Sequence, residues 1–216
     1  MSDIYVPEDF LLDDSREIAR IIGDFGFALL VTATDGPPQA SHLPFLLDPD
    51  RGPKGTLLAH MARANPHWRE FRRLAERGSE ALVAFQGPHA YVSPTWYGPG
   101  EAVPTWNYVA VHAYGTPEVI DDPLEVRRLL ETLVGQQESG FETPWSLEQA
   151  EESYIARMLR GIVAFQIPIV RLEAKAKLNQ NRTPDQRRGA AAALESGTGV
   201  FDRQVAALMG KPAPGS

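Results

Sequence analysis

The sequence predicts a mainly β protein with flanking helices, an α+β chain built around a closed antiparallel barrel. Three observations carry that reading. Short apolar and β-branched runs alternate with clusters of Gly, Pro, Asp and Asn. The runs are joined by tight turns rather than helical crossovers, which argues against a parallel sheet. The chain has 216 residues, 43% of them apolar and 23% charged, enough for a substantial core without a disordered majority.

The elements follow in order. Tyr5, Val6, Phe10, Leu11 and Leu12 give the N-terminal dozen residues enough apolar surface to pack onto the body. Asp14 or Ser15 can cap a short helix reaching Ile22. Residues 27–34 read as a buried strand, ended by Asp35-Gly36-Pro37-Pro38. Residues 39–46 and 55–61 read as the next two strands, joined by the turn chemistry of Asp48-Pro49-Asp50-Arg51-Gly52-Pro53. Pro66 opens a helix at the favoured first position behind Asn65 as N-cap, and Gly78 closes it. Residues 80–86 form the fourth strand, with 90–92 able to pair back on it, and 107–116 the fifth. Asp121-Asp122-Pro123 starts a helix carrying Leu124, Leu129, Leu130 and Leu133, and a second helix is expected over 147–159. Residues 162–172 are β-rich, and Pro168 within them suggests an edge or a bulge. After Pro184 the composition changes. An Ala-rich stretch over 189–194, a loop and a short helix over 200–209 precede an end, 211–216, expected to be disordered. The expected organisation is one domain over 1–189 with a tail over 190–216.

Bulk properties remove several function classes. The formal charge of −7 argues against broad sequence-independent nucleic-acid binding. With no Cys, thiol catalysis, disulfides and zinc-thiolate sites are excluded. The five His residues show neither an HxH nor an HExxH pattern, and no metal is expected. His42 and His60 would approach each other only under one strand register. No Ser-His-Asp or paired-carboxylate arrangement can be read from the spacing. A soluble cytoplasmic protein is expected, with no membrane segment.

Four segments combine aromatics, amides and cations. They are His60-Met61-Ala62-Arg63-Ala64-Asn65-Pro66, the stretch from Gln86 through Tyr91 to Tyr97, Pro104-Thr105-Trp106-Asn107-Tyr108, and Lys175-Ala176-Lys177-Leu178-Asn179-Gln180-Asn181-Arg182. A planar phosphorylated ligand needs flat walls, donors and acceptors for its polar edge, and cations for its phosphate. Arg63 and Asn65 sit between a strand and a helix N-terminus, where an anion is favoured. They are equally explained as a solvated cation and a helix cap. Lys175, Lys177, Gln180, Asn181 and Arg182 read as an amide-rich cationic run after the last strand, with Lys175 expected in an ordinary solvated linker. The Arg-rich helix around Arg69, Arg72, Arg73 and Arg77 could touch nucleic acid, but its spacing better fits an amphipathic helix with solvated Arg.

Taken together with Ser41-His42-Leu43-Pro44-Phe45, Gln86-Gly87-Pro88-His89-Ala90-Tyr91-Val92-Ser93-Pro94, His112-Ala113-Tyr114-Gly115 and Gln180-Asn181-Arg182, these motifs resemble the PaiB-type FMN-binding proteins, often labelled negative transcriptional regulators. The resemblance runs from Tyr5 to about Gly189. It implies an antiparallel split β-barrel and a homodimer with FMN as cofactor. It carries over Arg63 and Asn65 as phosphate-side groups, and Trp106, Asn107, Gln180, Asn181 and Arg182 as ring or ribityl groups. Two departures stand out: Asn179 where the family often has Ser, and no Lys in the loop before Val103. The expected function is FMN binding, with a transcriptional-regulator role or flavin-dependent oxidoreductase activity. A haem-binding or haem-degrading protein on the same barrel is the alternative.

Overall fold

The computed structural model describes residues 4–210. Eight strands are present: β1 (Phe27–Thr32), β2 (Gln39–Asp48), β3 (Thr56–Ala62), β4 (Ala81–Val92), β5 (Thr105–Gly115), β6 (Glu118–Ile120), β7 (Ile162–Pro168) and β8 (Arg171–Lys177). Six α-helices accompany them: α1 (Ser15–Asp24), α2 (Glu70–Arg77), α3 (Pro123–Glu138), α4 (Glu152–Leu159), α5 (Pro184–Glu195) and α6 (Asp202–Met209). The strands form one sheet in the order β6-β7-β3-β2-β1-β4-β5-β8. The pairings of β1 with β2 and β4, of β2 with β3, and of β7 with β3 and β6 are all antiparallel.

The chain divides into two compact units. The first takes the residues up to Ile21, then Phe85–His112 and the residues from Glu173 onward. The second is Ile22–Ala84 with Ala113–Leu172.

In the second unit, β1 and β2 form a hairpin in which Phe27 faces Pro44 and Thr32 faces Gln39. β2 returns as β3 with Phe45 opposite Ala59. Gly55 closes that turn at φ 84°, where a β-carbon would press on the Leu47 side chain and the Asp48 carbonyl. Leu30, Leu57, Leu74, Phe165 and Ile167 are fully buried here. Phe71 and Phe165 pack with ring centroids 4.9 Å apart. Asn65 caps a 3-10 turn over Pro66–Arg69 that continues as α2, and Gly78 ends α2 in the left-handed conformation. Asp122 caps α3, its carboxylate accepting from Leu124 N at 3.0 Å.

In the first unit, Phe85, Val92, Val111, Leu194 and Val205 are fully buried. Its N-terminal segment is tied down: Leu12 N donates to Ala174 O at 3.1 Å, and Leu11 bridges Lys175. The packing expected of the N-terminal apolar residues is therefore seen at Phe10 and Leu12, 7% and 3% exposed.

Several boundaries differ from expectation. β4 is one strand, not two short ones, although Gly87-Pro88 lies inside it. Its register with β1 covers Leu82–Ala84, so Pro88 lies beyond that stretch of ladder and removes no bond from it. The β-rich run at 162–172 is two strands, with Pro168 ending β7 between them. β7 lies between β6 and β3, so it is not an edge. The helix expected over 147–159 is a 3-10 turn at Leu147–Gln149 followed by α4. Lys175 and Lys177 belong to β8 rather than to a linker after it. The three-residue β6 was too short to register in the pattern. The expected disorder at 211–216 lies outside the described residues.

Candidate functional site

The seven residues expected at the site divide between the units. Arg63 and Asn65 belong to the second, and Trp106, Asn107, Gln180, Asn181 and Arg182 to the first.

In the second unit the polar groups close on one another. His67 is 2% exposed and its ring lies between two hydroxyls, Nε2 at 2.8 Å from Thr32 Oγ1 and Nδ1 at 2.8 Å from Ser41 Oγ. Asn65 Nδ2 donates to the same Ser41 Oγ at 3.1 Å, and its Oδ1 accepts from His67 N at 3.1 Å. Burial pushes the His67 imidazole below its ordinary pKa, opposed by the nearby Glu70 carboxylate. Arg63 is equally committed. Its Nε donates to Arg160 O at 2.9 Å and its Nη2 to Ile162 O at 2.7 Å, tying the end of β3 to the start of β7. Only Nη1 remains outside those bonds. Asn65 is thus the helix cap, and Arg63 is a guanidinium held in place by backbone.

The first unit behaves differently. Asn107 is fully buried on β5; its Nδ2 donates to Met209 Sδ at 3.3 Å, and its Oδ1 has no partner. Asn179 is 2% exposed and left-handed at φ 64°, which Asn tolerates better than most residues. Its Oδ1 accepts from Tyr97 Oη at 3.3 Å, and its Nδ2 has no partner. Arg182 lies over the Tyr97 ring, Cζ 4.7 Å from the centroid, and its N–H donates to Asn179 O at 3.0 Å. Gln180 braces the turn: Oε1 accepts from Leu178 N at 2.7 Å and Nε2 donates to Ala176 O at 2.5 Å. Asn181 is exposed and makes no side-chain hydrogen bond among the described residues. Lys177 Nζ donates to Thr105 Oγ1 at 2.5 Å. Gln180, Arg182, Arg187, Arg188 and Met209 line a cavity of about 370 Å³. Asn107 lies behind Met209, one of the lining residues.

Trp106 stands on β5 beside Asn107, 54% exposed, with Tyr91 edge-on at 6.0 Å and His89 at 6.4 Å. Lys175 serves the fold instead. It is 6% exposed, donates to Tyr5 O at 2.8 Å and faces the Tyr5 and Tyr108 rings at 5.3 and 5.4 Å.

Two residues of this cluster were not anticipated as site residues. Asn179 reads in sequence as one more amide, and its left-handed backbone is the signal a turn analysis could have used. Met209 gave no signal, because its contact spans 102 positions.

The two orphaned amide atoms of the first unit, Asn107 Oδ1 and Asn179 Nδ2, are the decisive observation. A buried acceptor and a buried donor without partners are costly unless something else satisfies them. A flavin ring edge alternates carbonyl acceptors and N–H donors, and a phosphate needs cations. This residue set therefore fits a flavin nucleotide.

Residues 4–171 match the model of a family described as a putative FMN-binding domain. The chain belongs to that family. It is 32% identical over 206 residues to the Protease synthase and sporulation protein PAI 2 of Bacillus subtilis (strain 168), covering 95% of this chain and 96% of that one. The PaiB-type resemblance is thus borne out. Among solved structures, the flavocytochrome Anf3 from Azotobacter vinelandii superposes with a TM-score of 0.59 at 16% identity, covering 81% of this chain and 74% of that one. The FAD and heme binding protein from Mycobacterium smegmatis gives 0.54 at 18% identity, covering 79% and 74%. These likenesses identify the eight-stranded sheet with its flanking helices as a split barrel. Among the described residues no helix is long and apolar enough to cross a membrane, and no group of three His, Asp or Glu is placed to hold a metal ion.

Proposed function

We propose that this flavin-binding family member takes FMN, acts as a cytoplasmic homodimer, and uses the cofactor in oxidoreductase chemistry. Two buried amide atoms without partners, Asn107 Oδ1 and Asn179 Nδ2, carry the reading, with Arg182 following Asn179 in the same turn. Asn107, Asn179 and Asn181 offer both polarities to the ring edge, Trp106 a flat exposed face, and Gln180 holds the turn that aims them. Arg182 supplies charge to the ribityl phosphate, while Arg63 and Asn65 belong to the second unit and stand outside this set. Bound FMN would supply the redox chemistry; the chain's part is to bind, orient and desolvate it. The flavin-binding part is proposed to run over 1–189, with the later residues as a supporting tail.

A role in transcription by direct DNA contact is less well supported. Of the α2 arginines, Arg72 pairs with Glu76 at 2.8 Å, Arg73 with Glu70 at 2.7 Å and Arg77 with Asp35 at 2.5 Å. Guanidiniums already neutralised by carboxylates are poor phosphate readers. A regulatory role would then run through flavin state or a partner.

The test is a visible spectrum of the purified protein with and without added FMN, FAD or haem, with the chromophore identified after release. Micromolar binding corresponds to about −8 kcal/mol, within reach of several charge-assisted and amide contacts. FMN bound in preference to FAD, weakened in Asn107→Ala and Asn179→Ala, supports the proposal. A haem spectrum with no flavin affinity replaces it with the haem reading. Light scattering on the same sample decides the dimer.

A further inference from the structure

The second unit contains a larger cavity that the flavin reading does not use. It measures about 530 Å³, inside the range of small-molecule sites. Its walls are mostly apolar: Val119 and Ile120 from β6, Val126 from α3, Leu159 from α4, and Ile162 and Val163 from β7. The Trp68 indole adds a flat wall, held by its Nε1 donating to Arg63 O at 3.2 Å.

The charged lining is Arg63, Arg160 and Asp121, two positive and one negative. Arg63 is spent largely on backbone carbonyls. The Arg160 guanidinium makes no hydrogen bond or ion pair among the described residues, although its carbonyl anchors Arg63. A second polar group stands next to the floor. His60 pairs with Ala164 across β3 and β7, so both side chains lie on one face of the sheet, and Ala164 lines the cavity. His60 Nδ1 is buried without a hydrogen-bond partner. A hydrocarbon-lined space with a fixed flat wall, a net positive charge and unspent polar groups has the makings of an acid-binding pocket.

We propose that this cavity binds a small aromatic carboxylate, its ring between Trp68 and the aliphatic wall and its carboxylate on Arg160. A charge-assisted contact to an otherwise unpaired guanidinium supplies orientation, and ring burial supplies most of the affinity. The ligand is separate from the flavin, so the site makes a second molecule a substrate or effector of the flavin-loaded protein.

The experiment is isothermal titration of the flavin-loaded protein with 1-naphthoate, alongside the neutral 1-naphthalenemethanol. Naphthoate is expected to bind and the alcohol to bind about tenfold more weakly, the loss of one charge-assisted contact. Arg160→Gln should weaken naphthoate about tenfold and leave the alcohol unchanged. Ala156→Trp, which fills the cavity from α4, should abolish both while flavin content, read from absorbance, stays constant. If that variant does not fold, Arg160→Gln carries the test alone. The proposal falls if naphthoate gives no heat at about 1 mM. It falls equally if Arg160→Gln binds naphthoate as the parent does, or if naphthoate binds only flavin-free protein and is displaced by FMN, which would assign the cavity to the flavin. Flavin content is measured separately, so failure here is distinguishable from failure of the FMN reading.

Discussion

Two polar clusters in this molecule are buried to a similar degree and are built in opposite ways. Around His67 both ring nitrogens, the Ser41 and Thr32 hydroxyls and both ends of the Asn65 amide find partners within the protein. Around Asn179 the partners run out, leaving Asn179 Nδ2 and Asn107 Oδ1 unmet. The first cluster is complete as folded and stabilises its unit. The second is incomplete as folded, and bound flavin is proposed to complete it. Residue type does not separate them, since each contains asparagine and a nearby arginine. Satisfaction does.

If that contrast holds, the two clusters respond oppositely to substitution. The largest effect is expected for His67→Leu, which leaves two buried hydroxyls without their shared partner. Stability in urea unfolding should fall by about 3 kcal/mol, with a smaller proportional loss of FMN affinity in the protein that remains folded. Arg182→Ala should do the reverse. FMN affinity should drop about 10- to 100-fold, one charged contact at roughly 1.5–3 kcal/mol, while stability changes by less than about 1 kcal/mol. A titration showing unchanged affinity would break the comparison. Asn107→Leu removes the orphaned acceptor, and the donor to Met209 with it, while keeping the branched shape of the side chain. It should raise stability of the flavin-free protein by about 1 kcal/mol and lower FMN affinity about tenfold. A loss of stability would mean the carbonyl is satisfied after all.

The smallest effect is on pH. Burial lowers the pKa of His60, His67 and His112 in the folded state, with Glu70 and Glu173 partly opposing it at the latter two. The unfolded chain titrates near the ordinary value of about 6.5 and takes up protons that the native state refuses. Stability is therefore full above about 6.5 and falls as pH drops from there toward the depressed native values. Thermal midpoints at pH 7.5 and 5.5 check the sign, and His67→Gln should flatten part of the slope.

The completed cluster was the more legible of the two. Asn65 before Pro66 announces a cap, and the turn residues at 35–38 and 48–53 place β1, β2 and β3. What they could not show was that His67 turns inward, since a histidine one place after a proline carries no facing information. The incomplete cluster was legible as composition and not as geometry. Trp106, Asn107, Gln180, Asn181 and Arg182 stood out as aromatics, amides and a cation, but the contact that holds Asn107 comes from Met209 in α6, far off in sequence. Lys175 misled because a lysine beside amides looks solvated; two tyrosine rings and a carbonyl hold it inside β8. Pro168 was read as an edge or a bulge; it instead ends β7, an inner strand, because a proline reports a missing donor without saying which neighbour does without it.

The turn carrying Asn179 and Arg182 runs straight into α5, whose start is fixed by a reciprocal cap between Thr183 and Gln186. Further along that helix, Gly189 lies so close to the Trp96 carbonyl that no side chain can be accommodated. For the gene, this makes the stretch that encodes α5 and α6 intolerant out of proportion to its plain, alanine-rich composition. A premature stop just after the Arg182 codon spares every residue of the matched family region, and so would pass unremarked in an inspection of that region. It also removes the helix that anchors the turn and the methionine that meets Asn107. Such an allele is expected to behave as a loss of flavin binding, and Gly189 to tolerate few missense changes.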